Sequence, residues 1–414
     1  MTKRRRLALL LPLALLQACA MPARPEPPAA GLAAREQRAP VTILISIDGF
    51  RADYLRRGHS PTLDALADSG VSGALQPSFP SKTFPNHYAL VTGVRPDRNG
   101  IVANVMVDPR RPDVTFRLGD PKQVDDPFWW DEAEPIWVTA QKAGVRTATM
   151  FWPGSTAAIH EVRPEDWQAY AQAMPSAQRV RAIIDWLRRP VQTRPQFMTL
   201  YFDEVDTAGH HHGPDSAETA AAIGSVDSAI ADLRAELAAL GQPANLVIVA
   251  DHGMATVSPE RWIDLDTLVP RARYRLVSGG PVASIDPLPG EAQAVTQALA
   301  GEHGPMQCWP RADLPERFHY GRNPRVSAII CLARTGWEIG QGAPDVTGGG
   351  DHGYDPAAPE MAALFIAAGP AFPDAIRAAT ADNVDVYPLL ARLIGITPLA
   401  SDGDPATLAS LARP

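Results

Sequence analysis

Apolar runs of strand length alternate with helical runs along most of the chain. Residues 41–47, VTILISI, form a continuous apolar stretch of the kind that a strand buried on both faces needs. Similar runs recur at 145–151 (VRTATMF), 196–202 (QFMTLYF), 245–250 (NLVIVA) and 362–367 (AALFIA). Between them lie helical patterns. Ser60-Pro61 followed by TLDALADS and Gly70 reads as a short capped helix. Residues 135–144 predict another, and Asp215 to Leu240 a long alanine-rich one closed by Gly241. Alternating βα units with doubly apolar strands predict an α/β fold with a mostly parallel sheet between helices.

Two stretches break this rhythm. From about Pro259 to Gly340 the runs are short (RYRLV, PVASI, VSAIICLA) and prolines are frequent, which predicts an inserted smaller α+β subdomain over one end of the sheet. Residues 21–40 are rich in Pro, Ala and Arg without apolar periodicity and read as a disordered linker, so the catalytic body is expected at 41–414.

The first 20 residues read as an export signal. Lys3, Arg4, Arg5 and Arg6 form a basic head, and residues 7–16, LALLLPLALL, are apolar but too short to span a bilayer. Cleavage after Ala18-Cys19-Ala20 and lipidation of Cys19 within Leu16-Gln17-Ala18-Cys19 both fit this segment. Either route places the protein outside the cytoplasm, periplasmic or lipid-anchored in a bacterial envelope. Cys308 and Cys331 then remain, to pair in an oxidising compartment or to stay as buried thiols.

The net charge of −8 leaves no electrostatic footprint for long nucleic acids. It is also unfavourable for phosphate substrates unless cations are added locally. Asp48, Asp203, Glu204, Asp206 and Asp251-His252-Gly253 follow predicted strands directly; His210 lies four residues after Asp206, and a second Asp-His-Gly stands at Asp351-His352-Gly353. Open α/β sheets bind ligands at the carboxyl ends of their strands. Each group alone is a common turn, cap or surface residue, and His210-His211-His212 is compatible with a solvated loop. Together they form a carboxylate–imidazole set suited to zinc, manganese or iron, and too large for one tetrahedral ion. Two ions suit phosphoryl transfer. Thr83, in Pro80-Ser81-Lys82-Thr83-Phe84-Pro85-Asn86-His87, is the candidate nucleophile; it or Ser81 could equally cap a helix beginning near Asn86.

The run Phe79 to Gly100, FPSKTFPNHYALVTGVRPDRNG, closely resembles the nucleophile segment of the nucleotide pyrophosphatase/phosphodiesterase family, within the alkaline phosphatase superfamily. The resemblance extends from Val41 to about Pro398 through Ile47-Asp48-Gly49-Phe50-Arg51, Phe151-Trp152-Pro153-Gly154-Ser155, Asp206-Thr207-Ala208-Gly209-His210, Ala250-Asp251-His252-Gly253-Met254 and Gly350-Asp351-His352-Gly353-Tyr354. It implies an alkaline-phosphatase-like core and two zinc ions. Asp48, Thr83, Asp251 and His252 would hold one; Asp206, His210 and His352 would hold the other. Asn104 would donate to a non-bridging phosphate oxygen. The implied reaction is two in-line displacements through a covalent phospho-Thr83 intermediate.

The resemblance also implies a small nucleotide substrate whose base lies between Phe84 and Tyr201, with Tyr170 and Trp152 lining the same pocket. Choline- or glycerol-type phosphodiesters and phosphomonoesters remain alternatives on the same fold. A sulfatase nucleophile needs a Cys or Ser in a different motif. A non-catalytic envelope protein is disfavoured because no ligand position departs from the family pattern.

Overall fold

The computed structural model describes residues 37–344 and 347–413. The expected export signal and Cys19 lie outside the described residues. Of the expected linker, residues 37–40 are described and carry no helix or strand.

In chain order, the strands that build the body are β1 (Val41–Ile47), β2 (Val71–Gln76), β3 (Thr147–Met150), β4 (Asp166–Gln168), β5 (Phe197–Phe202) and β6 (Ala244–Val249). After them come β7 (Tyr274–Ser278), β8 (Val282–Pro287), β9 (Gly301–His303), β10 (Met306–Pro310), β11 (Ile329–Ala333) and β12 (Ala363–Ala368).

Every residue of β1 is buried, as its unbroken apolar sequence demands. β5 and β6 flank it in parallel. The main sheet runs β2–β12–β6–β1–β5–β3–β4, with residues 376–377 and 381–382 pairing along β2. All its pairings are parallel except those of β12, which is antiparallel to both β6 and β2. The parallel arrangement brings the carboxyl ends of β5, β1 and β6 side by side: Ile47 faces Phe202, and Ser46 faces Val249.

Three helices matter most for the site: α1 (Thr83–Thr92), α2 (Glu204–His212) and α3 (Ala217–Leu240). α3 buries Ile223, Val226, Ile230, Leu233 and Leu237, a stripe at spacings of three and four residues. Ser216 caps its start, and Gly241 ends it at φ 62°. Asp227 of α3, also buried, accepts from the backbone N–H of Thr62 and Leu63. It thereby caps the helix Pro61–Asp68, a role the sequence pattern assigned to Ser60, which makes no side-chain cap bond.

β7 to β11 form a second, antiparallel sheet in the order β7–β8–β11–β10–β9. Ile285, Val295, Leu299 and Ile329 belong to a core separate from that of the main sheet. A disulfide joins Cys308 and Cys331 at directly paired positions of β10 and β11. Arg325, fully buried, ties this region to the main body. Its Nε donates to Asp108 at 2.8 Å, and its Nη1 to the carbonyls of Gly100 and Trp129.

Candidate active site

The segment before α1 is held from below by Asn86. Its Nδ2 donates to the carbonyls of Pro80 (2.9 Å) and Lys82 (2.8 Å), and its Oδ1 accepts from Ser78 N–H. The helix starts at Thr83, three residues earlier than the sequence pattern predicts. Neither Thr83 nor Ser81 caps it: Lys82 occupies the cap position without a side-chain bond. Ser81 donates instead to the carbonyl of Tyr354, and Asn104 Oδ1 accepts the N–H of Phe84 at 2.9 Å. The Thr83 hydroxyl is left facing His252 Nε2, 3.3 Å away.

Two groups of side chains converge here, each with ligand atoms close enough to share one ion. They are Asp48, Asp251 and His252, all buried, and Asp206, His210 and His352. Asp48 leaves β1, and Asp251-His252 leaves β6. Asp206 and His210 project from one face of α2 at i, i+4, so the segment open to a loop reading is helical. His352 arrives because residues 350–351 pair antiparallel with 255–256, which brings the two Asp-His-Gly segments together. The rings of His252 and His352 stack at 3.4 Å.

Two glycines make this crowding feasible. Gly49 turns the chain after Asp48 at φ 68°, and a Cβ there would stand 3.0 Å from the Cα of Asp206. A Cβ on Gly253 would lie 2.0 Å from the carbonyl oxygen of Glu360.

The donor set fits divalent metal. All three histidines fix Nδ1 on a backbone carbonyl: His252 on Gly253 (2.9 Å), His210 on Gly350 (2.8 Å) and His352 on Ser81 (2.9 Å). That arrangement leaves each Nε2 lone pair for a ligand. His252 Nε2 lies 2.9 Å from Asp251 Oδ2 and 3.4 Å from Asp48 Oδ1. Asp48 Oδ1, Asp251 Oδ2 and Asp206 Oδ1 are buried without a hydrogen bond, an arrangement that is costly unless a cation satisfies them.

The electrostatics agree. Burial, with the charges of Asp251 and Asp206, pushes the Asp48 carboxyl well above its ordinary value. Burial also raises Asp206, only partly offset by His210 and His252. Burial acts on Asp251 in the same direction, but His252 and His87 outweigh it and hold that carboxyl well below the usual range. His352 is held well below by burial and by the neighbouring charges of His252 and Lys82. Asp48 and Asp206 are thus the carboxyls whose charge a cation in this space would relieve most.

The type I phosphodiesterase / nucleotide pyrophosphatase family model matches residues 42–355. The bis(5'-adenosyl)-triphosphatase enpp4 of Xenopus laevis is 39% identical over 368 residues, which are 88% of this chain and 80% of that protein. The chain belongs to the type I phosphodiesterase / nucleotide pyrophosphatase family. The ectonucleotide pyrophosphatase/phosphodiesterase family member 5 of Homo sapiens is 38% identical over 366 residues, 87% of this chain and 76% of that protein. The human family member 5 structure matches with a TM-score of 0.86 at 36% identity, covering 90% of this chain and 100% of that one. A murine family member 5 structure, TM-score 0.86 at 35% identity and with the same coverage, is an inactive threonine-to-alanine variant in complex with AMP. As a member of this family the chain is a phosphodiester hydrolase with an alkaline-phosphatase-like fold.

Within this family site, the residues expected at the substrate pocket separate. Phe84 is partly exposed, with Trp130 and Phe116 at 5.9 and 6.0 Å. Tyr201 donates its hydroxyl to Asp48 Oδ2 at 2.6 Å, and its ring stands edge-on to His87 and Tyr170. Its hydroxyl supports a carboxylate of the first ligand group. Tyr170 is the exposed ring, 52% accessible, with its hydroxyl on Asp203 Oδ2 at 2.9 Å. Trp152 is buried, and its indole N–H donates to the carbonyl of His87. Large aromatic rings are more often packed inside than displayed.

Sequence reasoning missed several participants. His87, one turn after Thr83, places Nδ1 2.9 Å from the Thr83 carbonyl and 3.2 Å from Asp251 Oδ2, while Nε2 meets Ser46 Oγ at 2.8 Å. Its i+4 spacing from Thr83 was the available signal. Arg179, buried, donates to Asp203 Oδ1 at 2.7 Å and to the Tyr201 carbonyl. The two Asp-His-Gly aspartates also diverge. Asp351 lies outside both groups, accepting from Lys82 Nζ at 3.1 Å and from His352 N–H.

Proposed function

We propose that the chain is a two-zinc hydrolase that cleaves phosphodiester and phosphoanhydride bonds of small nucleotides and releases nucleoside 5'-monophosphates through phospho-Thr83. The observation that carries the reading is the Thr83 hydroxyl: it stands 3.3 Å from His252 Nε2, in the same buried space as orphaned oxygens of Asp48 and Asp251. The first group with Thr83, and the second group, would each hold one zinc; when bound, the ions would neutralise phosphoryl oxygens and acidify the hydroxyl.

The chain's own residues supply the rest. Thr83 opens α1 and brings its own N–H to the helix start; the Phe84 N–H is held by Asn104, Pro85 has none, and the Asn86 N–H bonds the Lys82 carbonyl. Asn104, its Oδ1 fixed on Phe84 N–H, keeps Nδ2 as a donor for a non-bridging oxygen. As the bond from Thr83 Oγ to phosphorus forms, the phosphorus–oxygen bond to the leaving group breaks with its electron pair on the leaving oxygen. Water then displaces Thr83 Oγ, restoring the hydroxyl and giving the monophosphate. Phe84 and the exposed ring of Tyr170 would hold the base. The AMP bound by the murine relative, and the inactivity of its threonine variant, support both the product class and the nucleophile.

The basic and apolar leader supports a place outside the cytoplasm, periplasmic or anchored through Cys19. Residues 41–414 would then be the catalytic domain, with the insert at about 259–340.

The test is an acid quench during turnover of a nucleotide diester. A nucleotidyl mass on the peptide containing Thr83 is expected, together with faster turnover of the nucleotide than of a choline phosphodiester. Label on another residue, or preference for the choline ester, would overturn the corresponding part.

A further inference from the structure

A cavity of about 200 Å³ opens beside Lys82 and Asn104. Thr83 itself does not line it; the link to the reacting centre is Asn104, which lines the space and also holds the Phe84 N–H, with Lys82 the residue before Thr83. Its far wall is not from the main sheet. Ser278 of β7 with Val282 and Ser284 of β8 close it, opposite Val105 of the main body. Phe84 and Tyr170, the rings assigned to the base, do not line it. It is therefore placed for the other half of the substrate.

Charge decides what that half can be. Lys82 is the single basic residue among those lining the cavity, and its ammonium is already paired with Asp351 at 3.1 Å. Glu338 Oε2 and Asp351 Oδ2 both lie 3.4 Å from where a Cβ on Gly280 would stand, with Lys82 Nζ at 3.9 Å. The Tyr320 hydroxyl, also at the wall, is turned away to the Val102 carbonyl. Pyrophosphate would leave water for apolar walls and one compensated cation. An alcohol or nucleoside would bury apolar surface there and meet the two serine hydroxyls.

We propose that this cavity is the leaving-group subsite and that it selects weakly charged leaving groups, an alcohol or a nucleoside, over pyrophosphate. The proposal rests on the phosphodiesterase reading of Thr83 given above. The inserted sheet thereby sets substrate choice without touching the reacting atoms.

The experiment uses the metal-loaded full chain and two substrates with the same nucleoside 5'-phosphoryl half: the 4-nitrophenyl ester and the 5'-triphosphate. kcat/KM is measured for both with wild type, Ser278→Lys, Val105→Lys and Ser278→Leu. Each lysine is expected to raise the triphosphate-to-aryl ratio about tenfold, an effect that shrinks as salt is added. Ser278→Leu is expected to move the ratio less than either lysine. The ratio cancels differences in intrinsic reactivity. Two lysine positions on different elements keep the test open if one variant does not fold. If the wild type hydrolyses both substrates but neither lysine shifts the ratio, the subsite proposal falls alone. If the wild type hydrolyses neither, the phosphodiesterase reading of Thr83 falls, and the subsite with it.

Discussion

In the main sheet, β5, β1 and β6 end side by side in parallel, and each is followed at once by acidic or imidazole groups. In the inserted sheet, antiparallel strands present Ser278, Val282 and Ser284 to the same region. The first arrangement concentrates charge at one edge and needs cations to be tolerable. The second brings no member of either ligand group and gives a wall. Parallel strands share a direction, so their carboxyl ends collect on one side. An antiparallel meander alternates its ends and builds a surface instead. Chemistry and selectivity are thus divided between two sheets that Arg325 joins through Asp108.

The largest effect expected at the main-sheet edge is that of Thr83→Ala. Turnover should fall by roughly 1000-fold or more, because the covalent route is lost. Metal content, measured on the purified variant, should stay near wild type, since both groups of three keep their ligands. An active variant would move the chemistry away from the end of α1.

Next in size is the response of metal binding to pH. Asp48 and Asp206 are raised in the metal-free protein. Their contribution to stability is full below the unfolded values and is lost as pH rises through the folded ones. Asp251 is depressed and runs the other way: its contribution is present above the unfolded value and lost as pH falls. Ions displace the protons of the first two carboxyls, so metal affinity should weaken about tenfold per released proton for each pH unit of acidification. The melting-temperature gap between zinc-loaded and chelated protein should widen as pH rises through the raised values of Asp48 and Asp206. A constant gap would mean that no protons are exchanged. The inserted sheet, with none of these groups, offers no such handle.

The division also explains what could be read in advance. Asp48, Asp251 and His252 were legible because apolar runs mark strand ends, and Asp206 and His210 because i, i+4 spacing marks a helix face. Each group of three brings its ligand atoms close enough to share one ion. The hydroxyl contact of Tyr201 was not legible, because the alternation of a strand says which face a ring takes, not that its hydroxyl reaches Asp48 across the sheet. Trp152 and His87 meet through a bond between helix and loop that no local pattern encodes. The strands β9 and β10 were not anticipated at all. GEH is too short and polar for a strand signal, and MQCWP ends in a proline, so their pairing is a tertiary outcome.

A smaller effect is expected where the substrate base would rest. Arg179 holds Asp203, and Asp203 holds the Tyr170 hydroxyl. Tyr170→Ala should raise KM for a nucleotide by roughly 5- to 150-fold, the equivalent of about 1–3 kcal/mol of stacking. kcat should change far less, and a small aryl phosphodiester without a base should be indifferent. Tyr170→Phe keeps the ring and loses only the tether, so its KM should lie between wild type and Tyr170→Ala. Equal losses for substrates with and without a base would place Tyr170 in the fold rather than in recognition.

The smallest effect on turnover belongs to the inserted sheet's own fastening. Cys308 and Cys331 close a loop with a sequence separation of 23, between strands already paired by hydrogen bonds. Replacing both with serine should cost about 2–4 kcal/mol of stability, since the bond restricts the unfolded chain. Both sulfurs lie in the second hydrophobic core, and neither cysteine belongs to a ligand group. Turnover of the 4-nitrophenyl ester at a temperature well below melting should therefore change by less than about twofold, within the range of substitutions remote from a site. Thermal melting and kcat/KM on the same preparation check both halves. If turnover fell in step with stability, the two sheets would act as one cooperative unit at the site. The wall formed by β7 and β8 would then take part in chemistry as well as in selection.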